Sequence, residues 1–174
     1  MSSFSNAIDR DSIAELKKLL AEGEDINQTL VIGEEYDLDS PNEVSVLNYA
    51  VRKGASLELI KFLVENGADI FAIDREGVGI MDIAIKFKRY DIVQFCIDSG
   101  IDPNTTKRKS GILPIMLAGC FNDIDMIKLL LKNGAKPDGK DKSGMSAIEY
   151  AVKMGQKSVV KFLEELENEE INEE

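Results

Sequence analysis

The side chains that most often perform chemistry in proteins are scarce in this sequence of 174 residues. It contains no histidine, which removes the serine–histidine and cysteine–histidine pairs of nucleophilic catalysis. Its two cysteines, Cys96 and Cys120, cannot form the usual zinc sites without histidine. Asp123 and Asp125, or alternatively Glu34, Glu35, Asp37 and Asp39, could hold a hard cation weakly, but the spacing matches no calcium loop. We therefore predict no catalytic residue, no metal and no cofactor, and an enzyme is only a remote alternative.

The charge and hydropathy of the chain exclude further classes of protein. A net charge of −11 disfavours a dedicated nucleic-acid-binding protein, which needs a broad basic surface. No run of about 18 apolar residues occurs, so no membrane-spanning segment is predicted. The first residues do not form a secretory signal, and both cysteines lie in apolar-periodic segments. This pattern indicates reduced thiols and a cytoplasmic location.

A cassette of 33 or 34 residues recurs along the chain, as the spacing of its alanines Ala50, Ala84, Ala118 and Ala151 shows. Each cassette predicts a pair of short helices with apolar residues at helical spacing, followed by a polar turn. A period of this length is typical of stacked repeats. Helices this short are marginal in isolation, so their stability must come from stacking on neighbouring pairs.

Two acidic segments depart from the repeat. Gly23 and Gly67 are 44 residues apart, which leaves an insert at about 28–44. Its acidic part is interpreted either as an enlarged solvated loop or as a finger that contacts a partner or the inner face of the array. The acidic end of the chain is either a polar cap that frays or a tail that occupies a basic surface as an internal competitor.

Several motifs of these cassettes resemble the ankyrin repeat family. Its Asp-x-x-Gly turn matches 74–77 and 141–144, and the opening of its first helix matches Pro114 and Ala118. The motif that ends each of its repeats, Leu-Leu followed by Gly-Ala-Asp, matches residues 63–69 and 130–135. The positions of the family's histidine are taken by Asn48, Asp82, Met116 and Glu149.

The resemblance implies an all-α fold, an ankyrin-repeat solenoid of helix-turn-helix pairs joined by hairpin-like turns. We predict one repeat domain over 1–166, with a divergent first copy and an acidic tail at 167–174. The five predicted repeats span about 4–27, 45–72, 73–105, 106–138 and 139–166.

The family binds proteins through a concave surface of turn tips and first-helix ends, which the resemblance maps onto this chain. The helix positions are Arg52, Lys53, Lys86, Phe87, Cys120, Phe121, Lys153 and Met154. The turn positions are Arg75, Glu76, Val78, Lys109, Ser110, Ile112, Lys142, Ser143 and Met145. Lys107, Arg108 and Lys140 lie beside them.

The mapped surface is basic and apolar although the chain as a whole is acidic. Phe87, Phe121 and Met154 form an apolar row on it, unless the two phenylalanines lean into the stack; the basic excess could also be ordinary solvated surface. We predict a non-enzymatic adaptor or scaffold that binds a protein with an acidic, partly hydrophobic surface. The alternative is a stoichiometric inhibitor or regulator of a partner enzyme or factor. Binding to nucleic acid or membrane is not expected, and the chain alone is expected to be a monomer.

Overall fold

The computed structural model describes residues 3–32 and 42–173 of the chain. The chain forms two compact units, Met1–Ile83 and Ala84–Glu174. The division falls inside the helix Ile80–Lys86, which therefore contributes residues to both.

The described residues of the first unit contain four complete helices, a pair of strands and the start of a fifth helix. These elements are α1 (Ser3–Asp9), α2 (Ile13–Ala21), β1 (Thr29–Ile32), β2 (Asn42–Ser45), α3 (Val46–Arg52), α4 (Leu57–Glu65) and α5 (Ile80–Lys86). The helices of the second unit are α6 (Tyr90–Asp98), α7 (Pro114–Cys120), α8 (Ile124–Lys132), α9 (Ala147–Lys153) and α10 (Lys157–Glu173). The predicted helix pairs are confirmed.

The first helix of a pair is buried more completely than the second. In the second unit, α7 contacts both α8 and α9, and each of its residues from Pro114 to Gly119 is buried. In α8, only Met126, Ile127 and Leu130 are buried, because its opposite side faces solvent. The apolar stripe predicted for the second helices therefore marks the side that packs on the first helices.

A residue in the left-handed conformation separates the two helices of each pair. The five residues at this position are Asp11, Gly54, Lys88, Asn122 and Gly155. Glycine adopts positive φ without steric cost, whereas Asp11 adopts its φ of 51° at a steric cost. The Asp11 carboxylate accepts a hydrogen bond from the Ser56 backbone N–H at 2.9 Å, which links this strained turn to the next pair.

Polar side chains cap many of the helix starts, and two of them occupy positions of the family's histidine. Ser12, Ser45, Ser56, Asp123 and Ser146 each accept a backbone N–H of the first helical turn. At two of the histidine positions, Asp82 accepts the Gly79 N–H at 2.9 Å and Glu149 accepts the Ser146 N–H at 2.7 Å. These bonds satisfy donors that a helix start leaves without partners.

Asparagine side chains connect successive repeats within each unit. In the first, Asn27 Nδ2 donates to the Gly67 carbonyl at 2.9 Å, and Asn27 Oδ1 accepts the Asp69 N–H at 2.9 Å. In the second, Asn104 makes the same two bonds to the Gly134 carbonyl and the Lys136 N–H, each at 2.8 Å. Each amide therefore fixes the loop that follows the second helix of the next repeat.

The insert begins and ends with two strands that the sequence analysis missed. β1 and β2 pair antiparallel, with Thr29 opposite Ser45 and Val31 opposite Glu43. The run Thr29-Leu30-Val31-Ile32 has the β-branched composition of a strand, and Leu30 points into the core. Residues 33–41, where we expected the acidic loop or finger and the second candidate set for a cation, lie outside the described residues.

The last helix is longer than expected. We expected it to end near Glu167, but α10 has 17 residues and continues to Glu173. Glutamates are good helix formers, and Lys161 lies 3.8 Å from Glu165 one turn away. The acidic segment therefore continues the helix, and this conformation does not support its prediction as a tail folded back onto the basic surface.

We predict that Asn104→Ala lowers the free energy of unfolding by about 1–3 kcal/mol, because the Gly134 carbonyl and the Lys136 N–H both lose their partner. Chemical denaturation measures this change. Asp138→Ala is the matched control, since Asp138 holds the corresponding position one repeat later. Equal destabilisation by the two substitutions would contradict a connecting role for the Asn104 amide.

Candidate protein-binding surface

Two turns are built around an aspartate that binds the backbone of its own turn. Asp74 Oδ1 accepts the N–H groups of Glu76 and Val78 at 2.8 and 2.9 Å. Asp141 Oδ1 accepts those of Ser143 and Met145, both at 2.8 Å. The predicted Asp-x-x-Gly turns thus form, and their carboxylates are used inside the turn.

A tyrosine ties one of these turns to the helix that follows it. The Tyr150 hydroxyl donates to Asp141 Oδ2 at 2.6 Å, and the Asp141 side chain is buried. This hydrogen bond is the main reason why the pKa of Asp141 lies below its usual range. The same bond, with burial and the negative charge of Asp141, raises the pKa of Tyr150 to about 12.

The turns of the two last repeats contact each other directly. Lys142 Nζ donates to the Lys109 carbonyl at 3.0 Å. Gly111 permits this approach, because a Cβ atom there would lie 2.9 Å from the Lys142 backbone nitrogen. We call the segments 107–110 and 140–143 the basic ridge; they contain five basic residues, Lys107, Arg108, Lys109, Lys140 and Lys142, and one acid, the buried Asp141.

The mapped residues of the first unit differ in how accessible they are. Arg75 and Glu76 are exposed at a turn tip, and Val78 beside them is partly buried. Lys53 is exposed, but its ammonium lies 3.8 Å from Asp9 and 5.4 Å from the centre of the Tyr49 ring. Arg52 is half-buried, and its Nε atom is buried without a hydrogen-bond partner.

The mapped residues of the second unit are mostly exposed. Those with exposed side chains are Lys86, Phe87, Lys109, Ser110, Lys142, Ser143, Lys153 and Met154. Those that are partly buried are Ile112, Cys120, Phe121 and Met145. The exposed charges of the ridge therefore adjoin two partly buried apolar side chains, Ile112 and Met145.

The expected apolar row is less continuous than the sequence indicated. Phe87 and Met154 are exposed, and Lys86 Nζ lies 6.0 Å from the centre of the Phe87 ring. Phe121 is partly buried. Its side chain is thus neither fully exposed, as an apolar row would require, nor fully buried in the stack.

Some exposed apolar side chains were missed by the sequence analysis. Phe71 is 61% exposed and Val152 is 63% exposed. Phe71 holds the position of Asn27 and Asn104 in its repeat, and its ring has no amide with which to make their hydrogen bonds. Comparing the repeats position by position could have identified it.

Cys120 has the surroundings of an unreactive thiol. It is partly buried, and burial raises its pKa, although the nearby Arg108 acts in the opposite direction. Its carbonyl accepts a hydrogen bond from Gln156 Nε2 at 3.1 Å. A raised pKa lowers the thiolate fraction, so this environment does not favour nucleophilic chemistry.

Of the two aspartates Asp123 and Asp125 that were considered for a cation, Asp123 has a structural role. Asp123 is buried, caps α8 through the Met126 N–H at 3.0 Å, and accepts the Tyr90 hydroxyl at 2.9 Å. Within 3–32 and 42–173, no group of three or more potential metal ligands comes together. In the same ranges, no helix is long and apolar enough to cross a membrane.

Comparison with known proteins decides the family of this chain. A family model for ankyrin repeats, described as three copies, matches residues 5–107 and 83–174. The chain belongs to the ankyrin repeat family. Ankyrin repeats are general protein–protein interaction modules, and their fold is non-catalytic.

Relatives of this ankyrin repeat chain occur in viruses, bacteria and animals. A putative ankyrin repeat protein of Rickettsia felis is 31% identical over 137 residues, which are 78% of this chain and 43% of the relative. The putative ankyrin repeat protein L371 of Acanthamoeba polyphaga mimivirus is 30% identical over 111 residues, 64% of this chain and 14% of the relative. The E3 ubiquitin-protein ligase hecd-1 of Caenorhabditis elegans is 30% identical over 102 residues, 59% of this chain and 4% of the relative. The chain thus spans less than half the length of each of these proteins.

The tyrosines of the ankyrin repeats give a measurable test of the structure. Tyr49, Tyr90 and Tyr150 each donate to an aspartate, and the pKa of each is raised to about 12. We predict that three phenols ionise near pH 12 in the native protein and near pH 10 after denaturation. Ultraviolet absorbance titration counts them. Tyr150→Phe should remove one phenol from the group near pH 12, and ionisation of all tyrosines near pH 10 in the folded protein would contradict the hydrogen bonds.

The Asp141–Tyr150 pair also predicts how stability changes with pH. The pKa of Asp141 is lowered in the folded state, so its contribution is present above the unfolded pKa of about 3.9 and is lost as pH falls through the folded value. The pKa of Tyr150 is raised, so its contribution is present below pH 10 and is lost toward pH 12. Tyr150→Phe should therefore weaken the loss of stability at both extremes, as thermal unfolding across pH would show.

Proposed function

We propose that this ankyrin repeat protein is an adaptor or scaffold that binds another protein through the basic ridge and the adjoining first-helix ends of its second unit. The proposal rests on one observation, the contact between Lys142 Nζ and the Lys109 carbonyl. That contact brings two lysine-rich turns side by side on a chain whose net charge is −11.

The ridge presents its positive charge outward because the acid within it is already bonded. Asp141 is buried and accepts hydrogen bonds from Ser143, Met145 and Tyr150. The side chains of Lys107, Lys109, Lys140 and Lys142 are exposed around it. Such a concentration of cations attracts an acidic partner surface and accelerates its association.

Apolar side chains beside the ridge support a partner surface that is partly hydrophobic. Ile112 and Met145 follow the two turn tips and are partly buried, while Met154 at the end of α9 is exposed. Methionine adapts its shape to different apolar surfaces, and a partner that covers these side chains gains hydrophobic free energy. We propose a partner surface that is acidic and partly hydrophobic.

We predict that Lys109→Glu combined with Lys142→Glu weakens partner binding at least about tenfold, because two attractive contacts become repulsive. Affinity purification identifies a partner, and titration with that purified partner measures the loss. Lys132→Glu combined with Lys157→Glu is the matched control, since both lysines are exposed on second helices and the change in net charge is equal. Thermal unfolding checks that both variants fold.

Equal binding by the ridge variant and its control would reject the mapped surface. Binding should also weaken as salt is added, because exposed charges are screened over about 8–10 Å at physiological ionic strength. The activity of the purified partner, measured with an equimolar amount of this chain, distinguishes an adaptor from an inhibitor. An inhibitor lowers that activity, and an adaptor leaves it unchanged.

A further inference from the structure

Each of the two turns of the basic ridge presents a serine directly after basic residues. Ser110 follows residues 107–109, all of which are basic, and Ser143 follows residues 140–142, of which two are lysines. Both serines are exposed at the tips of their turns. Ser110 is therefore an accessible hydroxyl with three consecutive cations before it.

An exposed serine in this setting fits one class of enzyme, a serine kinase whose substrate groove is acidic. Kinases select substrates partly by the charges that lie near the hydroxyl. The three cations before Ser110 complement an acidic groove, and complementary potentials accelerate the encounter. Ser143 is a poorer substrate for the same enzyme, because Asp141 lies two residues before it and opposes the groove.

The turn that contains Ser110 is held less firmly than the turn that contains Ser143. Asp141 Oδ1 accepts two backbone N–H groups of its own turn, both at 2.8 Å. Arg108 occupies the position of this aspartate in the earlier turn and has no carboxylate to accept such bonds. There the Ile112 N–H donates to Ser110 Oγ at 3.4 Å, which is a longer hydrogen bond. The turn around Ser110 therefore opens at a lower cost.

Opening matters because phosphoryl transfer needs the hydroxyl in line with the γ-phosphate, inside the kinase groove. A segment that leaves its turn at a lower cost reaches this geometry more often. Both the charges before Ser110 and the weaker hold on its turn thus favour this serine over Ser143.

We propose that Ser110 is a phosphorylation site for a serine kinase with an acidic substrate groove. Ser110 Oγ attacks the γ-phosphorus of ATP, so a new O–P bond forms while the bond from that phosphorus to the β–γ bridging oxygen breaks. ADP leaves with the bridging oxygen, and the hydroxyl proton passes to the catalytic aspartate of the kinase. The product is a phosphoserine with a charge of about −1.5 to −2 at pH 7.

A lysine of the neighbouring turn lies within reach of this phosphate. A Cβ atom on Gly111, the residue after Ser110, would lie 2.7 Å from Lys142 Cγ. The Lys142 ammonium donates to the carbonyl of Lys109, the residue before Ser110, at 3.0 Å. Hydrogen bonds from an ammonium to a phosphate are about twice as strong as bonds between neutral groups. Lys142 therefore turns to the phosphate when Ser110 is modified.

The modification regulates the basic ridge, and this step rests on the proposed function. Five basic residues and one acid give the ridge a formal charge of +4. One phosphate lowers this charge to about +2. A carboxylate of the partner must then compete with a phosphate that is tethered beside the same lysines. Phosphorylation of Ser110 therefore releases an acidic partner from the ridge.

Incubation of the full chain with Mg-ATP and the catalytic subunit of cAMP-dependent protein kinase, which selects basic residues before a serine, tests the site. Peptide mass spectrometry should find phosphate on Ser110 at an initial rate at least about tenfold above that on Ser143, whose turn must first break two bonds to Asp141. Ser110→Ala should abolish this incorporation. An unmodified Ser110, or an equal rate at the two serines, would overturn the proposal.

Phosphorus NMR of the phosphorylated chain tests the contact with Lys142. The second pKa of phosphoserine is ordinarily about 6 and should be lowered here, because a nearby ammonium favours the dianion. Lys142→Gln should move this pKa back toward its ordinary value. Lys132→Gln is the matched control at an exposed lysine of α8 and should leave it unchanged. An ordinary pKa in the presence of Lys142 would reject the contact.

Binding of fluorescent poly-L-glutamate, as a probe for an acidic partner, distinguishes failure of the regulation from failure of the proposed function. Phosphorylation of Ser110 should weaken this binding at least about tenfold, as should Lys109→Glu combined with Lys142→Glu. If the ridge variant weakens binding and phosphorylation does not, the regulation is wrong and the proposed function stands. If neither weakens binding, both the proposed function and its regulation are wrong.

Discussion

Burial of one short helix by its neighbours is the constraint on which this structure depends. Helices of 7 and 9 residues, such as α7 and α8, are too short to persist alone in water. α7 becomes stable because α8 and α9 both pack on it and remove its residues from Pro114 to Gly119 from solvent. Within the second unit, the pair α9–α10 completes the core of the pair α7–α8, so stability there is shared between neighbours and is not contained in a single repeat.

Hydrogen bonds of the turns supply the geometry that hydrophobic burial cannot. Burial is non-directional, so it would tolerate small rotations of one pair on the next. The Asn104 amide, bonded to the Gly134 carbonyl and the Lys136 N–H, fixes one loop against another. Asp141 fixes its turn from within, and the Lys142–Lys109 contact aligns two turn tips. The basic ridge therefore exists because polar groups set the register of the turns.

The sequence was sufficient for features that every repeat shares and insufficient for features of one repeat. The alanine and glycine spacing located the helix pairs, because each copy repeats it, and the resemblance to the family located the two Asp-x-x-Gly turns. The strands Thr29–Ile32 and Asn42–Ser45 occur once, inside the insert, so no second copy supported them. The exposure of Phe121 and Val152 depends on which side chains lie beside them, and a linear pattern contains no such information.

The exposed lysines of the basic ridge differ in how closely they are coupled to the fold. At the ridge, Asp141 and the backbone hold the turn, so Lys107 and Lys140 can change without loss of packing, whereas Lys142 also donates to the Lys109 carbonyl. If the ridge binds the proposed partner, substitutions at Lys107 and Lys140 can change its specificity while the stack is retained.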